Sequence, residues 1–245
     1  MMQPTGSNPL QNLLLKGLSD DVQETIRSHL RPVKLSLGDV IYESGQCIDH
    51  VYFPIDSIVS LLYVTASGES AEIAIVGNDG LVGVSVVLGA DSTLNQAVVQ
   101  SQGRAYQMPV SALKAELSNH PEFRVRTLRY TQALITQMAQ TAVCNRHHSI
   151  QQQLCRWLLL SLDRLPDNHV SMTHELIANM LGVRREGVTQ AACKLQKAGA
   201  IHYQRGHITV TDRALLETMS CECYSVVKHE TDRLEYWDST AATPF

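Results

Sequence analysis

Arg185, Glu186, Thr189, Gln190 and Lys194 recur at helical spacing, opposite an apolar stripe of Val188, Ala191, Ala192 and Leu195. Guanidinium, carboxylate, hydroxyl and amide groups on one face supply fixed donors and acceptors. That chemistry reads the edges of bases and neutralises phosphates, and makes or breaks no covalent bond.

Such side chains work only if two elements hold them at a fixed angle. The stretch MTHELIANMLGVRREGVTQAACKLQKAGAI, Met172 to Ile201, provides both. Thr173 is placed to cap a first helix whose apolar positions are Leu176, Ile177 and Met180. Gly182 stands where that helix must stop and turn, and Val183 anchors the turn. A second helix is predicted from near Arg184. Helix, turn and reader helix form a DNA-binding pattern. An ordinary helical hairpin with a solvated charged face would explain the pair alone. It would not explain the next ten residues. Ile201–Gln204 and His207–Val210 read as strands around a tight Arg205-Gly206 turn, which is a wing. Met172 to Arg213 holds six Lys/Arg and three Asp/Glu, formally +3 in a chain of net −4. A basic module inside an acidic chain fits phosphate contact.

The 245 residues suffice for two small cores. No apolar run approaches the ~20 residues of a membrane span, and MMQPTGSNPL lacks a signal-peptide layout. A cytoplasmic protein that makes no membrane contact is expected. The predicted class is α+β. Residues 1–31 are read as a tail, disordered up to residue 9, and short helices. Residues 32–117 are read as an antiparallel β-roll of the jelly-roll kind, because short strands and turn signals alternate there. A short helix is expected over Ser111–Leu117, capped by Ser111. Residues 118–147 should form a long helix whose heptad-like positions Leu128, Thr131, Ile135, Met138 and Ala142 suit a dimer seam. Residues 148–213 hold the winged helix-turn-helix. Residues 214–245, with two Lys/Arg and six Asp/Glu, form a helical extension with Tyr224, Val227, Leu234 and Trp237 near one side, expected to pack on protein.

This order, with LSLGDVIYESGQ opening the roll and GVRREGVTQ (Gly182 to Gln190) opening the reader helix, resembles the Crp/Fnr family of bacterial transcription regulators. The resemblance covers residues 10–215. It implies a roll like a cyclic-nucleotide-binding domain and a homodimer on a two-fold operator. RNA polymerase would be a further partner if the protein activates. It also implies base reading by Arg185 (guanine) and Glu186 (cytosine), with Thr189 and Gln190 beside them. Arg184, Lys194, Lys197 and Arg205 would hold phosphates. The family often has a second arginine where Gln190 stands, and glutamine favours adenine instead.

Family members that bind cyclic AMP use a Gly-Glu pair and an Arg-Ser/Thr-Ala triplet. Here the matching residues are Gly83-Val84 and Asn95-Gln96-Ala97. From Leu35 to Gly103 there is no Lys or Arg, while eight acidic residues occur. Burying a phosphate there without a cation is costly. No cyclic AMP binding in the standard mode is expected, and no cofactor is predicted. Arg104, Arg124, Arg126 and Arg129 remain candidates for an anionic effector outside the roll. Iron–sulfur relatives carry an N-terminal cysteine cluster, but no cysteine here precedes Cys47. Cys221-Glu222-Cys223 is a weak metal or thiol-sensor candidate, read chiefly as two thiols on different helix faces. His147-His148 is read as a cationic helix end rather than a metal pair. No enzyme is expected: there is no Ser/His/Asp order, no HExxH and no phosphate-cradling loop, and Gly77 to Gly83 reads as turns. The alternative function is a redox, metal or small-molecule sensor acting mainly through protein partners.

Overall fold

A computed structural model of the chain describes residues 8–235. The expectations for residues 1–7, for Trp237 and for the end of the acidic extension lie outside these residues.

After short helices α1 (Leu13–Lys16) and α2 (Asp20–Arg27) comes an antiparallel roll. Its strands are β1 (Arg31–Leu35), β2 (Val40–Tyr42), β3 (His50–Pro54), β4 (Ile58–Val64), β5 (Ser70–Val76), β6 (Gln96–Ser101) and β7 (Gly103–Pro109). They form two sheets, ordered β1-β7-β3 and β2-β6-β4-β5. Alternating apolar side chains turn inward, and Val51, Phe53, Val59, Val76, Val99 and Met108 meet in one core. Sequence periodicity stops at the Gln102-Gly103 turn and misses β7, the central strand of its sheet. The one-turn helix α3 (Val84–Val87) is also absent from the sequence expectation.

Helix α4 (Val110–Asn119) starts a residue earlier than expected, with Pro109 at the N-cap. Ser111 therefore lies inside the first turn and is not the cap. Pro121 opens α5 (Pro121–His147), a 27-residue helix laid on the roll through Phe123, Tyr130 and Leu134. Thr131 is only 4% exposed, and Met138 packs against the roll core. Both face the chain's own interior, which corrects their assignment to an outward seam. Leu128 and Ile135 are 45% and 50% exposed. With Gln132, Ala139 and Ala142, also exposed, they form a stripe spaced by four and three residues. This exposed stripe is displaced by one residue from the expected positions at every second step. Arg126 is buried and donates to the carbonyls of Leu13 (2.9 Å) and Leu14 (2.9 Å), so it is a structural tie and not an effector ligand. Arg104 is likewise paired, with Asp56 at 2.6 Å.

Helix α6 (Ile150–Leu162) is opened by a Ser149–Gln152 capping box. It is buried nearly all round. Trp157, Leu154, Leu158 and Leu159 join Ile58, Leu62 and Ile75 of the roll in a second core, shared with α7 (His174–Leu181) and α8 (Arg185–Ala198). Two polar ties cross this junction. Arg164 pairs with Asp79 at 2.7 Å, both buried. Trp157 Nε1–H donates to Glu72 Oε1 at 3.1 Å, and Glu72 Oε2 lies 2.5 Å from Ser60 Oγ. That hydroxyl also faces Gln100 Oε1 at 2.8 Å, and Gln100 donates to Ser161 Oγ at 3.2 Å. Ser60 has one proton for two acceptors, so a proton on Glu72 completes the chain. Burial, which outweighs the hydrogen bonds to Ser60 and Trp157, pushes the Glu72 carboxyl up to about 7. Helix α9 (Arg213–Thr218) comes after the wing, and α10 (Glu222–Glu235) packs back along α5.

Candidate nucleic-acid interface

The turn between α7 and α8 is built by local rules. The Thr173 hydroxyl accepts the Leu176 N–H at 3.3 Å and caps α7. Gly182 adopts φ +64° after the last turn, and the Val183 N–H closes on the Ala178 carbonyl at 3.0 Å. Ile177, Ala178, Met180 and Leu181 face the core, while Leu176 sits at its solvent edge. Helix α7 rests on β5 of the roll, and α8 lies beyond it. Val188, Ala191, Ala192 and Leu195 of α8 are all buried. At Gly187 α8 faces Ile150 at the start of α6, whose side-chain tip would have to shift to admit a Cβ.

The opposite face is open. Arg184, Arg185, Glu186, Thr189, Gln190, Lys194 and Lys197 are all exposed. No ion pair involves any of them among the described residues. Glu186 occupies the first turn, where the helix dipole favours its charge, and Lys197 the last turn, where it favours a cation. Strands β9 (Ile201–Gln204) and β10 (His207–Val210) form the wing. Arg205 and Gly206 both take positive φ, +49° and +85°, as a tight hairpin turn of this hand requires. Arg205 is exposed at the tip. A third strand, β8 (His169–Ser171), joins β10 on its other edge and has no counterpart in the sequence expectation.

His174 carries no motif in the sequence, yet it ties reader to wing. The Thr189 hydroxyl donates to the Arg185 carbonyl at 3.1 Å. It must therefore accept from His174 Nδ1 at 3.1 Å, which leaves Nε2 unprotonated and buried without a partner. The ring stacks on Tyr203 at 4.0 Å. Burial and then the Arg185 charge hold its pKa below the ordinary histidine value. The Thr189 hydroxyl is thus committed within the protein, although the residue itself is exposed.

Two matches with known families coincide with this geometry. The model of the Crp-like helix-turn-helix domain matches residues 152–219, and that of the cyclic nucleotide-binding domain matches residues 32–120. The chain belongs to the Crp/Fnr family. Crp/Fnr proteins are transcription regulators, and this Crp/Fnr chain is a DNA-binding regulator of that kind. The global nitrogen regulator of Synechocystis sp. is 25% identical over 179 residues, which span 69% of this chain and 80% of that protein. The CRP-like cAMP-activated global transcriptional regulator of Mycobacterium tuberculosis is 19% identical over 206 residues, 81% of this chain and 92% of its own. Among solved structures, FixK2 from Bradyrhizobium japonicum shares the fold with a TM-score of 0.66 at 15% identity, covering 78% of this chain and 98% of FixK2. Among the described residues no helix is long and apolar enough to cross a membrane.

The roll differs from the motif of nucleotide-binding members at Val84 and Asn95. Asn95 is buried, with its amide oxygen accepting from Tyr42 Oη at 3.1 Å and its nitrogen donating to Thr93 Oγ1 at 2.9 Å. Val84 opens α3. The Gly77 to Gly80 segment is a turn whose Asp79 faces Arg164.

The cysteines are less scattered than the sequence suggests. Cys144, near the end of α5, lies 3.6 Å from Cys221. Cys223 Sγ lies 3.6 Å from His148 Nδ1. Cys221 and Cys223, expected on different faces, therefore meet in one buried group, and His148 is drawn inward instead of serving only as a helix-end cation. The hydrogen bond with Cys144 holds the Cys221 thiol down, to about 5, and the Cys144 thiol correspondingly far up.

Proposed function

We propose that the protein binds a two-fold DNA operator as a homodimer and takes no cyclic AMP in its roll. In this reading Arg185 pairs with guanine O6/N7, Glu186 accepts from a cytosine amino group and Gln190 engages adenine, with the Thr189 methyl against a neighbouring base. Arg184, Lys194, Lys197 and wing residue Arg205 contact phosphates. The observation that carries the reading is the charged face of α8, free of ion pairs among the described residues and turned to solvent while its apolar face is buried. The exposed α5 stripe Leu128, Ile135 and Ala142 supports a two-helix dimer seam that would place two reader helices a helical turn of DNA apart.

Absence of cyclic AMP binding is supported by the internally bonded Asn95 and by the cation-free stretch from Leu35 to Gly103. Footprinting of fragmented genomic DNA with purified protein tests the reading. Bound fragments should share an inverted repeat, and calorimetric titration with cyclic AMP should give no binding heat. Affinity that hardly changes with salt would contradict the phosphate contacts.

A further inference from the structure

Cys144, His148, Cys221 and Cys223 converge from two elements distant in sequence. One ligand atom from each lies within 4.8 Å of every other. The three thiols form a small buried cluster of their own. With a metal–sulfur bond of about 2.3 Å, a tetrahedral ion sets its ligand atoms roughly 3.5–3.8 Å apart. Two of the separations, Cys144–Cys221 and Cys223–His148, are 3.6 Å and match that spacing, and every other pair lies within 4.8 Å. They exceed a disulfide bond of about 2.05 Å by far. All four ligand atoms lie within 4.8 Å of one another, which suits one ion better than an iron–sulfur cluster, whose ligands are spread over two or more irons.

Two surrounding groups point the same way. His148 turns Nδ1 toward Cys223, while its Nε2 lies 3.3 Å from Glu222 Oε1. A carboxylate behind the second ring nitrogen is the arrangement that orients metal-bound histidines. Arg156 is 4% exposed, its Nε has no partner, and no ion pair involves it among the described residues. Its charge acts on both Cys144 and Cys223. A divalent ion with three thiolates and a neutral imidazole carries one net negative charge, which a buried guanidinium balances.

We infer that Cys144, His148, Cys221 and Cys223 form a mononuclear tetrahedral site for a thiophilic divalent cation of the zinc class, clasping α10 to the end of α5. On binding, the thiol protons pass to solvent and four metal–ligand bonds form. The site joins the long helix to the reading domain, because α6 begins two residues after His148. It stands independently of how α8 reads DNA.

The test uses the untagged full-length chain, purified under reducing conditions. Metal analysis should find about one zinc per chain, and cobalt(II) should give the intense visible bands of a tetrahedral thiolate complex. Cys144→Ser and Cys223→Ser should lose those bands, whereas exposed Cys47→Ser and Cys193→Ser should keep them. Glu222→Gln retains all four ligands and guards against misfolded variants. It should weaken zinc about 10–100-fold in a chelator competition. A folded, reduced wild-type chain that takes up neither zinc nor cobalt would overturn the proposal, as would cobalt bands that survive loss of Cys144 and Cys223. A freshly isolated chain already carrying a Cys144–Cys221 disulfide would do the same.

Discussion

Single side chains carry the sharpest expectations. Arg185 is exposed on the first turn of α8, and its loss should cost about 1–3 kcal/mol on the preferred operator while relaxing selectivity at one base pair. Lys197→Ala should instead weaken all DNA sequences alike and lower the salt slope by about one, measured by titration at several salt concentrations. At the junction, Glu72 makes the protein's stability depend on pH. Its carboxyl gains a proton near pH 7 in the folded chain and near 4.5 when exposed. Between those values the folded chain binds more protons. Stability must therefore fall as pH rises through this window and level off above it. Glu72→Gln copies the protonated form, keeping an acceptor for Trp157 and a donor for Ser60. Denaturant melts should show the variant more stable than the parent by on the order of 2–3 kcal/mol at pH 8, with the difference vanishing below about 4.5.

Elements show which signals a sequence holds and which it hides. The α7 cap, the Gly182 turn, the α8 faces and the Arg205-Gly206 wing are set by neighbours within a few residues, so spacing reveals them. Strand β7 alternates poorly, and its place between β1 and β3 comes from long-range pairing. Thr131 and Met138 fit a heptad in sequence, but Thr131 is buried within the chain and Met138 packs against the roll core. The cysteine group is hidden because 77 residues separate Cys144 from Cys221. Gly182→Ala keeps the sequence pattern yet forces a Cβ into positive φ, and should lower stability by about 1 kcal/mol in a thermal melt. Ile135→Asp, on the exposed stripe, should leave the fold intact and shift the protein toward monomers in sedimentation equilibrium.

For the whole molecule, the arrangement is a roll fused to a reading domain through a shared core, with the polar face of α8 kept clear of both. Charge obeys the same division: a formal +3 from Met172 to Arg213 stands against acidic roll and C-terminal segments. Such a charge division should orient the basic module toward DNA before contact. The most direct measurement is hydroxyl-radical footprinting of the selected operator by wild type and Arg185→Ala, over a range of salt. Wild type should protect two symmetry-related patches about 10 base pairs apart, with affinity falling steeply as salt rises, and Arg185→Ala should lose about 5- to 150-fold. One unsymmetric patch, or an Arg185→Ala footprint identical to wild type, would contradict the assignment of α8 as the reader.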